Sequence, residues 1–129
     1  VYADVVGGVV IYNTGIKAFI NNATPIREQG DNQNYKNLQV QCLFHLARII
    51  NEGKIWIMCE LSEKQRSDIK QELDQIHSKL NDIGKLDCKS KSDIKQDIGR
   101  SPDYRDAIFM RVFFDLKPNK RRFMGSILR

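Results

Sequence analysis

No stretch of this sequence is apolar for long enough to cross a bilayer. The N-terminus carries no basic region ahead of an apolar stretch, so no secretory signal is read there. No Gly-x-x-x-x-Gly-Lys-Ser/Thr segment occurs, which excludes a P-loop phosphate site. Cysteine is scarce. Cys42, Cys59 and Cys88 are widely spaced, odd in number and form no Cys-x-x-Cys pair. That pattern argues against a zinc site and against a disulfide framework. Two of the three lie inside apolar segments, so buried free thiols in a reducing compartment are expected.

What is present fits one domain. A chain of 129 residues can enclose a real core. Charged residues make up 29% of it, and the net charge is +5. This excess leans towards a polyanionic partner and falls short of a histone-like one.

The N-terminal segment Val1–Val6 reads as a buried strand with one acid, Asp4, near its end. Gly7-Gly8 would end it. Val9–Asn13 would be a short helix stopped by Gly15, and Ile16–Ile20 a second strand. Strand, crossover and strand make a βαβ unit with a parallel sheet. Ligands collect beyond the carboxyl ends of such strands, though a turn-capping role is the simpler account of Asp4. Asn21–Tyr35 is polar and turn-rich, and reads as a long surface loop. Arg27 and Lys36 could meet phosphate there, but read first as solvated surface charge.

Leu38, Cys42, Leu46 and Ile49 or Ile50 recur at helical spacing, which predicts a largely buried helix over Lys36–Glu52 with Gly53 after it. His45 belongs to that packing rather than to a metal. Lys54–Cys59 is continuously apolar after its lysine and predicts a strand buried on both faces. Ser62 with Gln65 forms a capping box, opening a helix that would run to about Leu80. Its stripe is Ile69, Leu73, Ile76 and Leu80. Its other face carries Lys64, Arg66, Lys70, Glu72, Asp74 and Lys79, mixed signs typical of a solvated surface. His77 lies beside the stripe and takes no role. Gly84–Lys89 is a short strand, and Ser90–Gly99 a short helix with a glycine stop.

The most informative stretch is Arg100-Ser101-Pro102-Asp103-Tyr104-Arg105-Asp106-Ala107. Ser101 suits the N-cap and Pro102 the first helical position, and the helix would reach about Leu116. Asp103 gains from the helix dipole. Asp106 leads into a face carrying Met110 and Phe113, where a carboxylate is costly unless something charged compensates it. Two accounts stand. Asp106 is either paired with Arg105 or a distant lysine, or it ligates a divalent cation. For a lone aspartate the ion pair is the expected one. Lys85, Lys89, Lys91, Lys95, Arg100 and Arg105 gather cations ahead of it. They make either an exposed lysine-rich helix or a patch that grips phosphates.

Taken in order, these segments resemble the C-terminal nuclease domain of phage terminase large subunits, which cut and package viral DNA. The resemblance rests on Asp4 before a glycine turn, Tyr35-Lys36-Asn37 opening a helix, and Gln71-Glu72-Leu73. Above all it rests on Ser90-Lys91-Ser92-Asp93-Ile94-Lys95 followed by Gly99-Arg100-Ser101-Pro102-Asp103-Tyr104-Arg105-Asp106-Ala107. It implies an α/β, RNase H-like mixed sheet flanked by helices, and Mg²⁺- or Mn²⁺-dependent cleavage of double-stranded DNA in the host bacterial cytoplasm. Asp4 and Asp106 would be the catalytic carboxylates and, with Asp103, the metal ligands. Lys89, Lys91, Lys95, Arg100 and Arg105 would contact DNA. Portal and small terminase subunits would be further partners, and no membrane is involved. The chemistry suits two hard cations about 3.5–4 Å apart, which activate water and stabilise the leaving oxygen. The family's first carboxylate lies on an earlier strand, which nothing before Val1 supplies. The resemblance therefore implies a partial domain over 1–116, lacking the first strands of the fold, with a basic tail over 117–129. Such a chain would be inactive by itself. The alternatives are a non-catalytic DNA- or portal-binding module, or an unrelated α/β domain in which Asp4 and Asp106 are only caps.

Overall fold

A computed structural model describes residues 21–116 in full, together with the backbone of Tyr2–Asp4, Gly7–Tyr12 and Gly15–Ile20. The basic tail lies outside the described residues. The three N-terminal segments are strands β1 (Tyr2–Asp4), β2 (Gly7–Tyr12) and β3 (Gly15–Ile20). They form one antiparallel sheet in the order β1-β2-β3. Asp4 pairs with Gly8, and Gly7 pairs with Ile20.

This corrects the expected parallel βαβ unit. Val9, Val10, Ile11 and Tyr12 are β-branched or aromatic, and their preference for a pleated surface prevails over a short helix. Gly7 and Gly8 sit inside β2 instead of ending a strand.

A loop then leads to helix α1 (Leu38–Asn51). Buried Gln41 holds this loop by both ends of its amide. Its Nε2 donates to the Ile26 carbonyl at 2.6 Å, and its Oε1 accepts the Ile26 N–H at 2.7 Å. Asn37 caps α1 through Oδ1, which accepts the Val40 N–H at 3.0 Å.

Residues 54–59 follow α1, and here the structure departs from the expected buried strand. No strand among the described residues pairs with this segment. Trp56 is 76% exposed and Met58 93% exposed. A continuous apolar run calls for burial on both faces, but among the described residues Ile55 packs against the core while Trp56, Ile57 and Met58 stay exposed.

Helix α2 (Glu63–Leu73) starts with the expected capping box. The Ser62 hydroxyl accepts from the Gln65 N–H, and the Gln65 side chain accepts from the Ser62 N–H. It ends before Asp74 rather than near Leu80. Ser78–Leu80 instead forms strand β4, antiparallel to β5 (Leu86–Cys88). The Lys36 N–H donates to the Leu86 carbonyl and the Leu86 N–H to the Asn34 carbonyl, both at 2.8 Å, so the start of α1 is stitched to this hairpin.

Helix α3 (Lys91–Ile98) is capped by Ser90 and closed by Gly99 at φ 75°. That left-handed turn, which glycine enters without strain, brings the chain back to Arg100. Helix α4 (Asp103–Val112) follows and tightens into a 3₁₀ turn over Phe113–Asp115.

The core joins α1 to α4. Leu38, Val40, Cys42, Leu43 and Leu46 pack with Phe109, Met110, Val112 and Leu116, and Cys88 of β5 closes one side. Burial of each large apolar side chain contributes about 1.5–3 kcal/mol. No helix among the described residues is long and apolar enough to cross a membrane.

Candidate functional site

Helix α4 has no side-chain cap of its own. Ser101 is not the cap expected of it: Pro102 occupies the cap position and makes no such bond. The missing acceptor comes from α2: Glu72, 0% exposed, takes the Arg105 N–H on Oε2 at 2.8 Å. Its other oxygen takes a hydrogen bond from Arg100. Arg100 also donates to the Gln71 side chain at 3.0 Å and the Asp68 carbonyl at 3.2 Å. A fully buried carboxylate is tolerable only when both oxygens are satisfied, and here they are. Glu72 is therefore not part of a solvated face, as its helical position had suggested.

Asp106 is also buried. Its Oδ1 accepts from Arg105 Nε at 3.1 Å and Arg105 Nη2 at 2.8 Å, and its Oδ2 accepts from Lys91 Nζ at 2.7 Å. Arg105 is itself 2% exposed. Both pairings weighed from the sequence are thus present together, the neighbouring arginine and a distant lysine. Asp103 lies exposed one turn earlier. Asp4 ends β1, where side chains lie outside the described residues.

The basic residues divide into two groups. Lys89 and Lys91 join Arg105 in the wall of one cleft, together with Lys36 and Lys79. Lys89 bonds Gln75 at 2.7 Å and also pairs with Asp97. Lys36 reaches Asp87 at 3.2 Å. Lys95, exposed in the last turn of α3, and Arg100, folded onto α2, lie outside that cleft. Lys85 is half-buried beside the Asn81 turn.

Sequence reasoning missed Glu72 and Lys79, and treated Lys36 as ordinary surface charge. A buried carboxylate on a helix of alternating charges gives no local signal, because its partners are about thirty residues away. Lys79 joins the cleft only because β4 replaces the last turns expected of α2.

His45 is half-buried on α1, and Arg48 donates to its Nδ1. Burial first, then the Arg48 charge, holds its pKa below 6.5. A packed ring is what the sequence suggested. Burial pushes the Cys42 thiol up to about 12 and the Cys88 thiol up to about 11.

Solved structures share this arrangement of elements. One is the nuclease domain of the large terminase subunit of bacterial virus Sf6. It is 26% identical, with a TM-score of 0.52, over 73% of this chain and 51% of that one. A lysine-to-alanine variant of that domain, with manganese and beta-thujaplicinol, is 25% identical, with a TM-score of 0.54, over 74% and 52%. A variant solved with calcium is 26% identical, with a TM-score of 0.52, over 73% and 51%.

The chain is similar to the nuclease domain of a phage large terminase subunit. Its α/β fold is accordingly RNase H-like. It spans about half the length of the terminase nuclease structures it matches. No family model and no curated protein matches it.

The terminase nuclease variants solved with manganese and calcium make a divalent cation the group to test against these residues. Among the described residues no three His, Cys, Asp or Glu side chains gather where they could hold a metal ion. Asp106 and Glu72 are the carboxylates buried at the head of α4, and both oxygens of each are engaged. Hard cations require around six oxygen ligands, of which carboxylates supply the charge. The described residues alone therefore do not fit a divalent cation.

Proposed function

We propose that this chain is the later part of a metal-dependent endonuclease domain of a terminase large subunit, which cuts double-stranded DNA during genome packaging. The observation that carries this reading is Asp106, buried at the head of α4 and facing two cations beside a basic cleft. Similarity to a terminase nuclease solved with manganese supports it. Asp4, Asp106 and Asp103 are the proposed ligands from this chain, for Mg²⁺ or Mn²⁺. A further carboxylate from elsewhere in the parent protein is required. Bound cations would supply an activated water and charge stabilisation of the leaving oxygen.

The chain's own residues have narrower tasks. Arg105 and Lys91 hold both oxygens of Asp106 by hydrogen bonds and fix its orientation. Glu72 sets the start of α4, and with it the place of Asp106. Lys89, Lys91, Lys95, Arg100 and Arg105 are the proposed DNA contacts. Portal and small terminase subunits are the proposed protein partners, and the host bacterial cytoplasm the proposed location.

One observation favours a second reading, a non-catalytic DNA- or portal-binding module. Asp106 already has its charge balanced by Lys91 and Arg105, and a purely structural ion pair needs nothing more.

A plasmid-nicking assay with Mn²⁺ separates the two. Three proteins are compared: this chain, a form extended upstream by a carboxylate-bearing strand, and the extended form with Asp106→Asn. The chain alone should cut slowly or not at all. The extended form should cut, and Asp106→Asn should abolish cutting. Robust cleavage by the Asp106→Asn protein would remove Asp106 from the mechanism. An inert extended form would favour the binding module.

A further inference from the structure

We propose that the cleft walled by Lys36, Lys79, Lys89, Lys91 and Arg105 seats a phosphodiester of the DNA backbone. The inference rests on the reading of the chain as a DNA-acting domain, and fixes where the strand lies.

Four segments far apart in sequence converge there. They are the start of α1, strand β4, the end of β5 with the start of α3, and α4. The five cations face Asp87 in the same wall, while Asp97 and Asp106 hold Lys89 and Lys91. More positive than negative groups remain, and Lys79 pairs with no carboxylate among the described residues. Asn37 and Ser90, the caps of α1 and α3, both line the cleft, so the positive ends of two helices add to the side-chain charge. Val40, Leu43 and Cys88 contribute apolar surface, which lowers the local dielectric and strengthens every charge interaction.

Size and chemistry narrow the ligand. The cleft holds about 250 Å³, below the roughly 300–1,000 Å³ of small-molecule pockets. That suits a headgroup-sized anion better than a whole nucleotide. Among the described residues no aromatic ring lines it, so this wall offers no surface on which a base could stack. The fork of Arg105 is engaged by Asp106, which leaves lysines to act as point charges. Point charges without base contacts read the backbone and not the sequence.

The test is equilibrium binding of the full chain to a short fluorescent duplex in metal-free buffer at several salt concentrations. Lys79→Ala removes an exposed side chain that pairs with no carboxylate among the described residues. It should weaken binding about tenfold at 50 mM salt and lower the salt slope by about one. Lys36→Ala would strand Asp87, so it is made together with Asp87→Asn, and should act similarly. Lys70→Ala, exposed on α2 away from the cleft, should change nothing. Absence of binding at low salt, or a Lys79→Ala protein indistinguishable from Lys70→Ala, overturns the proposal. So does displacement of the duplex by millimolar inorganic phosphate at constant ionic strength, which would assign the cleft to a free anion. The outcome is separable from that of the nicking assay. Lys79-dependent binding without cleavage by the extended form retains the cleft and rejects the endonuclease. Cleavage by the extended form with Lys79-independent binding does the reverse.

Discussion

Glu72 and Arg105 lie 33 residues apart in sequence, and the carboxylate of one accepts the N–H of the other in the first turn of α4 at 2.8 Å. An interhelical cap of this kind couples α2 to the element that carries Asp106. Glu72→Ala should cost about 3–5 kcal/mol, because it leaves a helix end and part of the Arg100 charge uncompensated. Glu72→Gln keeps one acceptor and should cost only about 1.5–3 kcal/mol. Urea denaturation of the two variants measures both. A Glu72→Ala protein within half a kcal/mol of the parent, roughly the scatter of surface substitutions, would show that the cap contributes little.

Thiol reactivity should sort the three cysteines by burial. Cys42 and Cys88 are buried, with thiols pushed up to about 12 and about 11, so neither offers thiolate at neutral pH. Cys59 is exposed in the 54–59 segment. A disulfide reagent at pH 7.5 should therefore titrate Cys59 rapidly, and the other two only after denaturant is added. Rapid reaction of all three in the native protein would contradict the packing of α1 against β5 and α4.

A pH dependence follows from His45. Its folded pKa lies below the ordinary 6.5, through burial and then Arg48, against smaller opposing effects of Glu28, Asp115 and Glu52. Between the two values the unfolded chain binds more protons than the folded one, so stability falls as pH drops through that window. Above the ordinary value the contribution is fully present. Melting temperature should decline from about pH 6.5 downward, before most carboxylates titrate. His45→Gln should flatten that part of the curve. An unchanged slope in the variant would exclude His45 as its source.

Local chemistry was legible in the sequence wherever one segment decides its own shape. The Ser62–Gln65 capping box, the short helix stopped by Gly99 and the buried stripe of α1 all formed as their residues dictate. The late motif around Asp106 was legible too, including the cations that meet it. What could not be read depends on company. Glu72 looks like a surface residue until Arg100 folds back onto it. Val9–Tyr12 fits either a helix or a strand until a neighbouring strand settles the matter. Lys54–Cys59 has the composition of a central strand, and composition cannot say whether partners stand on either side.

That last segment bears on solubility. Ile55-Trp56-Ile57-Met58 lies outside every helix and strand, is uncharged and free of proline, and its last three residues are exposed. Such a stretch is a template for pairing with another copy of itself. Lys54 and Glu60 flank it and act as charged gatekeepers against that outcome. How concentrated the chain can become before it precipitates is thus governed by two boundary charges as much as by the core beneath them.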